Sequence, residues 1–194
     1  GVLSVNSTKT STEFGEQITN TGTMQLAGSK TIEFKSALTG ADGETTIDST
    51  GTVKFDSALQ QNKLTITSGS VEVKASDIDV TNTIDNSGTI KLGAGVLRTG
   101  IKGSTGSVET TGDVTLTKSI VGNALDISGN ALTIGTGGSL NVRAFTNGEG
   151  ATFDSSNNNN MDEIKFDSAN IAKDLSATID VDLDELKADN FSAT

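Results

Sequence analysis

One six-residue pattern governs this chain: a small or hydroxyl residue, Gly, a small or polar residue, then apolar, polar, apolar. Thr21-Gly22-Thr23-Met24-Gln25-Leu26 is a copy, as are Thr50-Gly51-Thr52-Val53-Lys54-Phe55 and Ser68-Gly69-Ser70-Val71-Glu72-Val73. The fullest is Ile84-Asp85-Asn86-Ser87-Gly88-Thr89-Ile90-Lys91-Leu92. Related copies start at Thr105, Thr111 and Gly137. The glycines at 51, 69, 88 and 106 are separated by 18, 19 and 18 residues. Such spacing is the mark of stacked supersecondary units, none of which can bury its apolar side alone. The gap of 29 residues from Gly22 to Gly51 reads as one unit with an inserted loop.

Within each unit the turn comes first. Asn and Ser bond their own backbone, and a glycine such as Gly88 is expected to take positive φ. The strand follows, with Ile90 and Leu92 on one side and Lys91 on the other. Alternation recurs at Thr31-Ile32-Glu33-Phe34-Lys35, Leu64/Ile66, Asp77-Ile78-Asp79-Val80, Val114/Leu116, Leu132/Ile134, Leu140/Val142, Ile164-Lys165-Phe166 and Thr178-Ile179-Asp180-Val181-Asp182-Leu183. No segment sustains a 3.6-residue period. Residues 184–188 are compatible with a helical turn or a further strand. Ser36–Glu44, Gly93–Gly106 and Asn147–Asn160 read as loops, the last holding four consecutive Asn.

These features predict an all-β chain folded as a right-handed parallel β-helix, a single elongated β-solenoid, the hand following from that of parallel crossovers. Residues 1–17 are expected to form an N-terminal strand and connector, and 18–194 the coils. With coils of about twenty residues stacked about 4.8 Å apart, roughly eight to ten would make a rod of about 40 Å. A sandwich of hairpins would need turns such as Asn-Gly, and only Asn147-Gly148 provides one.

Composition narrows the functions. Only 33% of the residues are hydrophobic, which a narrow core with one inward side tolerates. The chain has no Cys and no His, so thiolate and Ser-His-Asp chemistry are excluded. A net charge of −11 without a basic cluster argues against nucleic acid and anionic lipid. No apolar run reaches membrane-spanning length. Gly1-Val2-Leu3-Ser4-Val5 does not read as a signal peptide, so a mature or excised piece is expected.

Three sets of residues are candidate sites. Asp77/Asp79 and Asp180/Asp182/Asp184 put carboxylates on one side of a strand, an arrangement that glycoside hydrolysis could use. A solvated outer face opposite the inward Ile, Val and Leu is the default reading of the same alternation. Asp180, Asp182, Asp184 and Glu185 form the best oxygen-ligand cluster for Ca²⁺, without the Gly-rich repeats of calcium β-rolls. Thr65/Thr67 and Thr115/Thr117 are Thr-x-Thr pairs of the kind that order water, but two pairs are few. No catalytic or cofactor-binding residue is assigned.

The Asn20–Thr23 and Asn86–Ile90 turns, the run Leu125–Ile134, and the closing Ile179–Leu183 and Ala188–Phe191 resemble the passenger regions of bacterial autotransporters and related surface adhesins. The resemblance covers most of residues 17–194. It implies a secreted rod on a bacterial surface, with a membrane β-barrel elsewhere in the parent chain, and a host or neighbouring-cell surface ligand as partner. The chain has few aromatics and no serine-protease motif, which argues against a protease passenger. The expected function is therefore a non-catalytic structural or adhesive rod. The alternatives are a carbohydrate-active β-helix enzyme, and a filament subunit that stacks end to end with its like.

Overall fold

The computed structural model describes residues 1–155, 164–171, 176–178, 186–188 and 191–193, with side chains through 155 and over 164–170. Every strand pairing among them is parallel, and none of these residues is helical. The chain winds as a β-solenoid of about eight turns. Each turn lays down three short strands, one per face.

Vertical rows of inward side chains define those faces. On the first, Ile84, Ile101, Ile120, Leu140 and Ile164 stack in register. On the second, Ile32, Val53, Val71, Ile90, Val108, Leu125 and Phe145 form one unbroken row. On the third, Val114, Leu132 and Phe153 stack. The β-branched majority of these residues suits a pleated surface packed on one side. All belong to a single buried cluster running the length of the described coils. Phe14, Phe34 and Phe55 extend it as a ring stack with centroids 4.9 Å apart, about the spacing of neighbouring strands. Parallel in-register stacking thus makes each side chain cover its counterpart one turn away.

The first and second faces merge into one 18-stranded sheet, and two smaller sheets form the third face. The merger has a local cause. The strands Glu44–Phe55 and Lys63–Lys74 run across the corner, so each pairs on both faces. At the start of the chain, Val2–Ser7 and Thr12–Phe14 already lie in register with Thr23–Gly28 and Ile32–Phe34.

Several expectations from the sequence are corrected. The glycines at 51, 69, 88 and 106 do share one corner: Gly51 and Gly69 lie where the two long strands cross it, and Gly88 and Gly106 directly precede second-face strands. Gly22, however, precedes the first-face strand Thr23–Gly28, at a different corner. Its 29-residue distance from Gly51 is one turn plus one face, and no loop is inserted. Nor does Gly88 take positive φ, although Gly69 does, at 80°. A Cβ at Gly88 would lie 2.6 Å from the carbonyl oxygen of Gly69 in the turn below, so close approach is what excludes a side chain there. The stretches 36–44 and 93–106 are not continuous loops. They hold the strands Leu38–Thr39, Gly95–Leu97 and Ile101–Lys102, with Leu38, Leu97 and Ile101 fully buried. Such strands carry a single large inward residue, too few to show alternation. Thr152–Asp154 is likewise a strand within 147–160; of the two readings open for 184–188, Leu186–Ala188 takes the strand.

Candidate functional site

With the core inside, chemistry-bearing side chains occupy outward rows. On the second face one row reads Glu13, Glu33, Lys54, Glu72, Lys91, Glu109, Asp126 and Thr146, one residue per turn. Sequence spacings of 17 to 21 residues place these groups side by side. Lys54 Nζ lies 3.1 Å from Glu72 Oε2, and Lys91 Nζ 4.0 Å from Glu72 Oε1. Beside the row, Lys35 donates to Glu33 at 2.6 Å and to Asp56 at 3.1 Å. These side-chain hydrogen bonds favour the charged ammonium and hold Lys35 above the ordinary lysine range. The hydrogen bond to Glu72 raises Lys54 in the same way. All of these groups are solvent-facing, where water and salt screen ion pairs and leave them little weight in stability.

Next to the charged row runs a second, of hydroxyls: Thr52, Ser70, Thr89 and Ser107, in register over four turns. Each follows one of the corner glycines. Together with the corner glycines, which carry no side chains, these hydroxyls line an open groove of about 670 Å³ that runs over four turns. The oxygens of Thr89 and Ser107 are 3.0 Å apart. Ser70 Oγ is buried without a hydrogen-bond partner. Lys91, Glu109 and Arg143 also line the groove. Arg143 donates through Nη2 to the carbonyls of Thr105 and Gly106, at 3.2 and 3.1 Å, and so reaches across one intervening turn. The groove can exchange hydrogen bonds with a polar ligand along its length.

The candidates read from the sequence fall in different places. Asp79 points outward, with Ile78 and Val80 buried on either side, as the alternation requires. Asp77 accepts a hydrogen bond from Ser76 Oγ at 3.1 Å. The two carboxylates share an outer face and do not oppose each other across a cleft. Thr67 and Thr117 donate their hydroxyls to the carbonyls of Ile47 and Leu97, both at 3.0 Å, so neither Thr-x-Thr pair is a free water-ordering array. Asp180, Asp182, Asp184 and Glu185 lie outside the described residues, as do Asn157–Asn160. Among the described residues no three His, Cys, Asp or Glu gather as metal ligands.

Sequence reasoning missed the groove. Its signal was the constant hydroxyl after each of four corner glycines, which a turn reading treats as ordinary turn composition. No protein-family model matches the chain, and neither a curated protein nor a solved structure matches it.

Proposed function

We propose that the chain serves as a non-catalytic structural rod of a bacterial surface or secreted adhesin, comparable to an autotransporter passenger, and that it binds through its side rather than through loops. One observation carries this reading: the hydroxyl-walled groove spans four stacked turns, while two of the three stretches expected to be display loops are interrupted by strands with buried residues. A parallel solenoid suits such a role. Each turn is held by its neighbours above and below, so a long shaft can present a regular side surface without a globular core. The ligand would sit at a cell or matrix surface, and the net charge of −11 keeps the shaft soluble and disfavours nucleic acid as partner.

The test is binding of the purified chain to cells and to immobilised matrix and glycans. It is run beside a Ser70→Lys/Ser107→Lys variant, which fills the groove from outward positions. The expected result is binding by the parent and its loss in the variant, with an unchanged circular dichroism spectrum. Glycan cleavage by the parent chain would replace this reading with the enzymatic one. Equal binding by both proteins would move the site away from the groove.

A further inference from the structure

Among the described residues eleven polar residues are buried, and four of them form two similar constructions. In the first, Asn20 Nδ2 donates to Gln61 Oε1 at 2.7 Å, although the two residues lie two turns apart. The same nitrogen donates to the carbonyl of Glu44 at 3.2 Å, and Asn20 Oδ1 accepts from the Gly22 amide at 3.1 Å. In the second, Asn86 Nδ2 donates to Asn123 Oδ1 at 2.8 Å and to the carbonyl of Ser107 at 3.0 Å, while Asn86 Oδ1 accepts from the Gly88 amide at 3.2 Å. The upper amides are each anchored locally as well. Gln61 Nε2 donates to the Gln60 carbonyl and Asn123 Nδ2 to the Val121 carbonyl, and Gln60 and Val121 follow the buried Leu59 and Ile120. Gln61 Oε1 also accepts from Thr45 Oγ1 at 3.0 Å, a bond without a counterpart in the second site, where Val108 stands at the matching step.

In each case the skipped turn carries Gly-x-x-Gly: Gly40 and Gly43 in the first, Gly103 and Gly106 in the second. The glycines make room. A Cβ at Gly43 would lie 2.8 Å from Gln61 Oε1, and one at Gly106 would lie 2.6 Å from Asn86 Nδ2 and 2.7 Å from Asn123 Oδ1. Corner lengths match too. From Ile18 to Met24, Leu38 to Thr45 and Leu59 to Leu64 the chain takes six, seven and five steps. From Ile84 to Ile90, Ile101 to Val108 and Ile120 to Leu125 it again takes six, seven and five. The first construction sits where the third face turns into the first, the second where the first turns into the second. The same three-turn unit therefore operates at two different corners, independently of the face that follows.

The core rows cannot specify vertical register by themselves. Ile, Val and Leu alternate along them with little distinction, and a slip of two residues keeps every apolar side chain inside. The amides can specify it. A slipped strand would leave a buried amide unpaired and would bring a Cβ into a position that only glycine fits. We infer that the two amide clamps, Asn20–Gln61 and Asn86–Asn123, are register locks that select one stacking of the turns from several with equivalent apolar packing. Polar groups buried in an otherwise uniform apolar seam fix register in coiled coils by the same logic.

The absence of Cys makes engineered crosslinks a direct readout. Lys91→Cys/Glu109→Cys joins outward register partners in the turn of Asn86 and the skipped turn next to it. Lys91→Cys/Thr111→Cys reports a slip of two, because in the native register those Cα atoms are about 8 Å apart, beyond disulfide reach. In the parent background the first pair should oxidise nearly completely and the second hardly at all. Adding Asn86→Leu/Asn123→Leu should cut the native crosslink at least twofold and raise the slipped one, with the β-sheet circular dichroism retained. Asn86→Ser/Asn123→Ser, which keeps the corner polar and able to take up water, should shift the ratio the same way if the leucine variant does not fold. A native-only crosslink in either folded variant would overturn the inference and leave the amides as space-filling groups.

Discussion

Replacing Ile90 by Ala probes the stacked core at its middle. Ile90 is fully buried, held in register between Val71 in the turn below and Val108 in the turn above. The substitution removes three carbons, and at about 0.8 kcal/mol each the lost transfer free energy is about 2.4 kcal/mol. A cavity term adds to this. Val71 and Val108 are fixed by their own hydrogen-bonded strands and cannot move together to close the gap without breaking the ladder. The total is expected at about 3.5 kcal/mol, near the middle of the range for buried aliphatic truncations. Lys91→Ala, one residue along and pointing outward, should cost less than about 1 kcal/mol. Urea unfolding followed by far-ultraviolet circular dichroism measures both. A lower midpoint at unchanged slope reads as lost stability, and a shallower slope in Ile90→Ala would show the rod coming apart in two sections, as a quasi-one-dimensional array can. If Ile90→Ala matched Lys91→Ala, Ile90 would not be covered on both sides and the stacked-row account would be wrong.

Other perturbations test separate parts of the account, all by chemical or thermal unfolding unless stated. Gly88→Ala should lose about 1–3 kcal/mol, because the new methyl meets the Gly69 carbonyl and backbone must shift. Asn86→Ala should lose about 1–3 kcal/mol by leaving Asn123 Oδ1 buried without its donor. Glu72→Gln removes the carboxylate shared by Lys54 and Lys91, and its effect should stay below about 1 kcal/mol at low salt and vanish in about 1 M salt. Lys35 is held above the ordinary lysine range by Glu33 and Asp56, so its contribution is complete below that range and fades as pH rises through the raised value. Melting temperatures at strongly alkaline pH should therefore fall more in the parent than in Lys35→Met.

The apolar alternation and the turn glycines of the central repeats were legible before any coordinates. Ile90 and Leu92 had to face one way and Lys91 the other, and the glycines from 51 to 106 do stack at one corner. What could not be read there has physical causes. Gly22 and Gly51 look alike in sequence because glycine serves corners of different faces equally well. Leu97 and Ile101 sit in strands of three and two residues, where a period of two leaves no trace. Asn86 was read correctly as a turn residue, since its Oδ1 does accept from the Gly88 amide. Its Nδ2 reaches Asn123, 37 residues away, and nothing local marks that contact. The hydroxyl groove was hidden for the same reason. Its four walls come from four turns and become neighbours only once the register is known.

Distances along a single outward row test the parallel stack most directly. Spin labels are placed at Glu13 in combination, one pair at a time, with Lys91, Glu109, Asp126 or Thr146, all on that row. Dipolar spectroscopy should give a separation of about 29 Å for the Glu13–Asp126 pair, six turns apart, and a change of about 5 Å for each turn added or removed. Distances that failed to grow evenly with turn number, rising and falling as antiparallel hairpins folded back on one another, would contradict the stacked solenoid and everything inferred from it.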